Sequence, residues 1–196
     1  MKQIFIVFIF LILGAGIAFA LNASSQNALD KKEVRPMNNK VLVAYFSHSG
    51  NTKDIALEIQ KQTGGDIFEI APLKPYPRSY GEVVEVVRVE VANGATPKLK
   101  NNIDVSKYDV IFVGTPAWCN TIAPPVKTFL TTGTFKGKTI VPFISHGGGG
   151  GYDIAGDIKK AAAGSNVLKP LLVYYGGDYN TPKEIQNWLN RIVMPK

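Results

Sequence analysis

The clearest chemical signal in the sequence is a run of hydroxyl and amide side chains, Ser47-His48-Ser49-Gly50-Asn51-Thr52. It lies between an apolar segment that predicts a buried strand and an amphipathic segment that predicts a helix. A helix N-terminus offers unpaired backbone N–H groups and the positive end of a dipole, so this joint suits a phosphate group. The same residues could instead serve only as a helix cap, through Asn51 or Thr52.

The joint lacks the two best-known nucleotide signatures. It has neither the lysine of a Walker loop nor the GxGxxG spacing of a dinucleotide-binding loop. ATP and the pyrophosphate of NAD are therefore not expected at this site.

A second joint, residues 114–122, places Trp118 in a loop directly after another apolar strand. The flat face of an indole ring can stack on a flat heterocycle. We therefore interpret Trp118 as one side of a ligand site, and the alternative is that it folds back into the core.

A third joint begins with Ser145-His146 and continues through five glycines, 147–151. Glycines leave backbone N–H groups free of side chains, so the main chain can approach the edge of a ligand. The alternative is a surface loop that binds nothing.

Other chemistries fit these joints poorly. A G-x-S-x-G nucleophile elbow centred on Ser47 or Ser49 lacks its glycines, and a low-molecular-weight phosphatase needs a Cys and an Arg that the first joint does not have. Cys119 is interpreted as a small loop residue, because no basic neighbour in sequence would activate it. His48 and His146 are too few for a metal site. No catalytic residue and no metal ligand is predicted.

The joints belong to alternating short strands and helices, the pattern of an α/β fold with a parallel sheet. Strands are predicted at 41–46, 66–70, 109–114, 139–144 and 171–175, and helices at 52–62, 80–92, 124–130, 154–163 and 182–192. The carboxyl ends of parallel strands meet at one sheet edge, where ligands bind. All three joints should therefore lie together.

The N-terminal residues have a different composition. Lys2, the apolar stretch 4–21 and Ala18-Phe19-Ala20 predict that residues 1–20 are a signal peptide or an N-terminal anchor. Residues 21–39 are predicted to be a flexible tether, and residues 40–196 to be one globular domain. We expect a protein that is exported to the periplasm or outside the cell, or anchored to the membrane by residues 4–21.

The formal net charge of the chain is +7, and +4 remains from Val41 onward. This mild excess, without a basic run interleaved with aromatic residues, does not predict nucleic-acid binding. With Cys119 as its single cysteine, the chain has no intrachain disulfide.

Several strings resemble, in order and spacing, the short flavodoxin-like branch of the flavodoxin family: VAYFSHSGNTKDIA, KPYPRSYGEVVEVV, YDVIFVGTPAWCNTIAPPVKTFL, GKTIVPFISHGGGGGYDIAGDIK and a terminal IQNWL. The resemblance covers Lys40 to about Arg191. It implies a doubly wound five-stranded parallel sheet of order 2-1-3-4-5, with FMN bound between strands one and three.

The resemblance also implies which residues of the domain 40–196 hold FMN. The phosphate would be bound by Ser47, His48, Ser49, Gly50, Asn51 and Thr52. The isoalloxazine ring would be flanked by Thr115, Pro116, Ala117, Trp118, Cys119 and Asn120, and on its other side by Ser145, Gly147, Gly148 and Gly149. The third loop lacks the hydroxyl and aromatic residues that the family often has there.

We expect an FMN-binding electron-transfer flavoprotein, preferred to a turnover enzyme because no nicotinamide site is recognisable. Its partner would be a redox protein or a small-molecule electron acceptor. The alternatives are an FMN-dependent NAD(P)H or quinone reductase, and a flavodoxin-fold binding domain without flavin.

Overall fold

The computed structural model describes residues 40–148 and 153–192. The predictions for residues 1–39 and for Gly149 lie outside these ranges. The described helices are α1 (Asn51–Thr63), α2 (Tyr80–Ala92), α3 (Pro124–Thr132), α4 (Ile154–Ala161) and α5 (Thr181–Arg191). The strands are β1 (Val41–Tyr45), β2 (Asp66–Glu69), β3 (Val110–Trp118), β4 (Thr121–Ile122), β5 (Thr139–His146), β6 (Asn166–Val167) and β7 (Leu171–Tyr174).

The strands form one sheet of order β2-β1-β3-β5-β6, with β7 also paired to β5 and β4 paired to β3. All the main pairs are parallel, and only the short β3–β4 pair is antiparallel. If β6 and β7 are counted as one interrupted strand and the two-residue β4 is left out of the count, this is the expected order 2-1-3-4-5. The predicted α/β fold class is confirmed.

Alternation along β1 divides the core between the two faces of the sheet. Leu42 and Ala44 point into a cluster with apolar residues of α3 and α4, whereas Val43 and Tyr45 point into a cluster with α1 and α5. A strand that is apolar on both faces is expected for the centre of a doubly wound sheet. The result is a sheet covered by helices on both faces, whose carboxyl edge carries the joints.

The edge strand is interrupted by a bulge. Ile140 of β5 pairs with Val167, and Phe143 pairs with Leu171, so three residues of the edge strand face two residues of β5. Pro142 lies in that gap and has no N–H to donate, so the hydrogen-bond ladder cannot continue there. The predicted strand 171–175 is therefore only the second half of the edge strand.

Most predicted boundaries agree with the structure to within two residues, and α2 begins and ends where it was expected. The main difference is β3, which was predicted to end at residue 114 and continues to Trp118. It then turns back through β4, so the second joint is a β-hairpin and not an open loop. Within the described ranges, no helix has both the length and the apolar character needed to cross a membrane.

Candidate functional site

The first joint forms an open helix N-terminus. Gly50 precedes α1 with a φ of 97°, a left-handed conformation that glycine adopts freely. Its N–H donates to Ser47 Oγ at 3.2 Å, which holds the turn closed. No described side chain caps α1. The predicted alternative, in which Asn51 or Thr52 serves as a cap, is therefore not what the structure shows, because both are the first helical residues.

A buried pair of hydroxyls joins the first and third joints. Thr52 Oγ1 and Ser145 Oγ lie 2.8 Å apart, and both residues are almost fully buried. Either oxygen can be the donor. One proton of the pair is used in this bond, and the other remains available to an acceptor.

His48 fastens the first joint to the segment that leads into α2. Its Nε2 lies 2.7 Å from the carbonyl oxygen of Pro77. A carbonyl only accepts hydrogen bonds, so Nε2 carries the proton and Nδ1 is the free ring nitrogen in neutral His48.

Trp118 is half-buried at the end of β3. Its ring makes edge-to-face contacts with Phe46, Tyr76 and His48, at centroid distances of 5.2, 5.1 and 5.7 Å. It therefore combines the two interpretations from the sequence, since it packs against the core cluster and also lines the cleft described below.

The hairpin that follows Trp118 has an unusual turn. Cys119 and Asn120 both have positive φ, 46° and 67°. Two successive positive values are typical of a type I′ turn, which usually contains glycine. Thr115 lies below this hairpin, fully buried, and its Oγ1 accepts from Ala123 N at 3.0 Å and donates to Pro116 O at 2.9 Å. Its side chain supports the hairpin.

The joints surround one cleft of about 620 Å³ at the carboxyl edge of the sheet. Its volume lies in the range of about 300–1,000 Å³ that is usual for cofactor sites. The predicted residues that line it are His48, Ser49, Asn51, Thr52, Pro116, Ala117, Trp118, Cys119, Ser145 and Gly147. Ser47, Gly50, Thr115, Asn120 and Gly148 lie in the same joints without lining the cleft.

Six lining residues were missed in the prediction of the site: Tyr80, Val83, Val84, Val87, His146 and Tyr175. The valines form an apolar wall on α2, and their helical spacing in EVVEVV is a signal that could have suggested a buried face. Tyr175 comes from the turn after β7, and no local pattern points to it.

The residue types that line the cleft limit how it can bind a ligand. Among the described residues that line it, none is Asp, Glu, Lys or Arg. In the described ranges no cluster of His, Cys, Asp or Glu could hold a metal ion. A ligand in this cleft would be recognised by hydroxyls, backbone N–H groups and ring faces.

Tyr76 packs against Trp118 and has a shifted pKa. Burial and a hydrogen bond to Glu90 raise the pKa of the Tyr76 phenol well above its usual value.

Residues 40–192 match the family model described as Flavodoxin. The chain belongs to the flavodoxin family. Among solved structures of similar fold, a protein of Bacteroides eggerthii DSM 20697 that has been assigned as a flavoprotein is 32% identical, with a TM-score of 0.70, over 81% of this chain and 100% of that one. No protein with a curated description matches the chain.

A similarly assigned protein of Bacteroides uniformis ATCC 8492 is 27% identical, with a TM-score of 0.70, over 79% of this chain and all of that one. The flavoprotein of Lactobacillus acidophilus NCFM, solved in complex with FMN, has a TM-score of 0.62 at 22% identity, over 77% of this chain and 99% of that one. At that identity the likeness concerns the fold. The flavodoxin fold predicted from the sequence is confirmed.

Proposed function

We propose that this flavodoxin-family domain binds one FMN non-covalently and uses it to carry or deliver electrons. FMN agrees with the family assignment, and the isoalloxazine ring supplies the capacity to accept and release electrons. The observation that carries the proposal is the uncapped N-terminus of α1, which opens into a cleft lined by aromatic and apolar side chains.

The residues present fit the two chemically different ends of FMN. Ser49 and Asn51 at the start of α1 would hold the phosphate, where the helix dipole and backbone N–H groups favour an anion. The Thr52–Ser145 hydroxyl pair lines the same cleft and has one O–H proton that is not used within the pair and can be donated to a ligand. Trp118, Ala117 and the α2 wall would take the apolar ring system.

Titration of the protein with FMN and with riboflavin tests this division. FMN should bind at one site and turn the protein yellow, whereas riboflavin, which lacks the phosphate, should bind far more weakly. Ser49→Ala should weaken FMN by about 1.5 kcal/mol, the usual value of a hydrogen bond to a charged group, and leave riboflavin unchanged. Ser106→Ala, an exposed serine of the short helical turn before β3, is the matched control. Equal affinities for FMN and riboflavin would refute the phosphate site.

An FMN-dependent reductase of quinones is the second candidate. The observation that favours it is the valine wall of α2, because apolar side chains suit an uncharged acceptor. The described cleft residues include no Lys or Arg to bind the phosphates of NAD(P)H. Steady-state reduction of a water-soluble quinone by the holoprotein, with dithionite or with NADPH as the electron donor, distinguishes the reductase from a carrier that needs a protein partner to accept its electrons.

We further propose that the protein works outside the cytoplasm or on the membrane surface, on the basis of Lys2, the apolar stretch 4–21 and Ala18-Phe19-Ala20. Intact mass from the native host should give a mature chain beginning near Leu21, or a full-length chain in the membrane fraction. Full-length protein in the soluble cytosol would contradict this.

A further inference from the structure

Packing of the hydrophobic core does not account for the tyrosine side chain at position 175. It follows β7 directly, its side chain is about half exposed, and it belongs to neither core cluster. Its φ is 51°, in the left-handed region that is costly for a residue with a bulky side chain. The next two residues are Gly176 and Gly177, and glycine adopts the left-handed conformation without this cost. The chain nevertheless has a tyrosine at the left-handed position. Strained positions of this kind are enriched at functional sites.

The backbone and neighbours of Tyr175 fix where its ring lies. Its N–H donates to His146 O at 2.8 Å, which extends the β5–β7 pairing by one residue. A β-carbon at Gly147 would lie 3.4 Å from Cε1 of Tyr175, so the tyrosine ring covers the main chain of the third joint. The ring of Tyr174 packs against it with a centroid distance of 4.5 Å.

This placement brings a further aromatic side chain to the cleft, besides Trp118 and Tyr80, and from a different direction than Trp118. Trp118 comes from the β3–β4 hairpin, and Tyr175 comes from the far side of β5. The described part of the third joint, residues 145–148, contributes no Phe, Tyr or Trp to the cleft. We propose that Tyr175 is a flavin-contacting residue that provides the aromatic wall opposite Trp118. This inference rests on the proposed FMN site.

Four variants of the full-length protein test the assignment. Tyr175→Gly removes the ring and also the left-handed strain, and Tyr175→Phe keeps the ring. Tyr179→Leu alters a tyrosine that is 90% exposed and does not line the cleft. Tyr152→Leu alters the one aromatic residue in the sequence 147–153. The readouts are the Kd for FMN from flavin fluorescence, the position of the bound flavin absorption bands, and the Tm of the FMN-free protein.

We expect Tyr175→Gly to bind FMN about 10-fold more weakly, with shifted flavin bands, because aromatic contact and its burial are lost. The Tm of its FMN-free form should not fall, because glycine relieves the backbone. Tyr175→Phe and Tyr179→Leu should bind FMN like the parent. A residue with a merely structural role would show the opposite pattern, a lower Tm with unchanged flavin bands.

Either of two binding results overturns the assignment while the FMN site stands: a parent-like Kd and spectrum in Tyr175→Gly, or a loss of affinity found in Tyr152→Leu and not in Tyr175→Gly. A fall in the Tm of FMN-free Tyr175→Gly also overturns it. If the parent protein binds no FMN, the proposed function and this inference both fail.

Discussion

The hydroxyl pair Thr52–Ser145 shows how single atoms hold the site together. It is almost fully buried, so removing one partner leaves the other hydroxyl without this hydrogen bond and with little access to water that could replace it. Leaving a buried polar group unpaired costs about 1–3 kcal/mol, whereas replacing both partners with apolar groups of similar shape can be nearly neutral. The pair therefore lends itself to a double-mutant cycle.

We expect Ser145→Ala and Thr52→Val each to lower the free energy of unfolding by about 1–2 kcal/mol, and the double variant to lose less than the sum of the two. Urea unfolding of the FMN-free protein measures this. Additive losses would mean that the two hydroxyls are not coupled.

Tyr76 should make the stability of the folded domain depend on pH. Burial, followed by its hydrogen bond to Glu90, raises the pKa of the Tyr76 phenol above its ordinary value near 10. A folded pKa above the unfolded one means that this stabilisation is complete below about pH 10 and is lost as the pH rises further. Tyr76→Phe should therefore flatten the fall of Tm with pH above about pH 10, measured by differential scanning fluorimetry. Tyr80→Phe, at an exposed tyrosine, is the control and should leave the slope unchanged.

At the scale of elements, the prediction from sequence succeeded where a hydrophobic pattern is strong. The spacing of Glu82, Glu85 and Arg88, together with the need for a crossover, indicated a helix at α2, although its valines favour a strand by propensity alone. The continuous apolar runs of β1, β3 and β5 indicated buried strands. It failed where backbone conformation decides the outcome. The β3–β4 hairpin turns through Cys119-Asn120, which lacks the Asn-Gly signature of a type I′ turn, so nothing in the sequence marked it.

Asn120→Gly should stabilise that hairpin. Asn120 is exposed and has a φ of 67°, a conformation that glycine adopts at lower cost. We expect a gain of about 0.5–1 kcal/mol in the free energy of unfolding, measured with urea. Asn101→Gly, at an exposed position before β3, serves as the control and should bring no gain. A loss of stability in Asn120→Gly would show that the asparagine side chain itself supports the turn.

For the whole molecule, the topology of a parallel sheet was enough to bring the three joints to one edge. Residues near 50, 118 and 146 are far apart in sequence and share one cleft because their strands are neighbours. The same reasoning could not place α2 or Tyr175 at the cleft, since their approach depends on tertiary packing and on the turn after β7. One side of the site was therefore predictable from strand ends, and the remaining walls were not.

The net positive charge of the chain should affect how fast it exchanges electrons. The formal charge from Val41 onward is +4, so a small anion should be attracted to the domain and a small cation repelled. We expect the reduced holoprotein to react faster with ferricyanide at about 10 mM than at about 300 mM ionic strength, because salt screens this attraction. With hexaammineruthenium, a cation, the rate should rise with salt. Stopped-flow absorbance follows both reactions, and identical salt responses would show that the overall charge has no influence at the cleft.

The bulge in the edge strand has a consequence for how copies of this protein meet in a concentrated solution. Exposed strand edges are templates on which a second molecule can extend a sheet. Here the interruption by Leu168, Lys169 and Pro170 leaves two short stretches, β6 with two residues and β7 with four, in different registers against β5. A strand of another molecule could not form a long, regular series of backbone hydrogen bonds along this edge, and Pro170 has no N–H to donate to it. The irregularity that precedes Tyr175 thus also makes this edge a poor seed for aggregation.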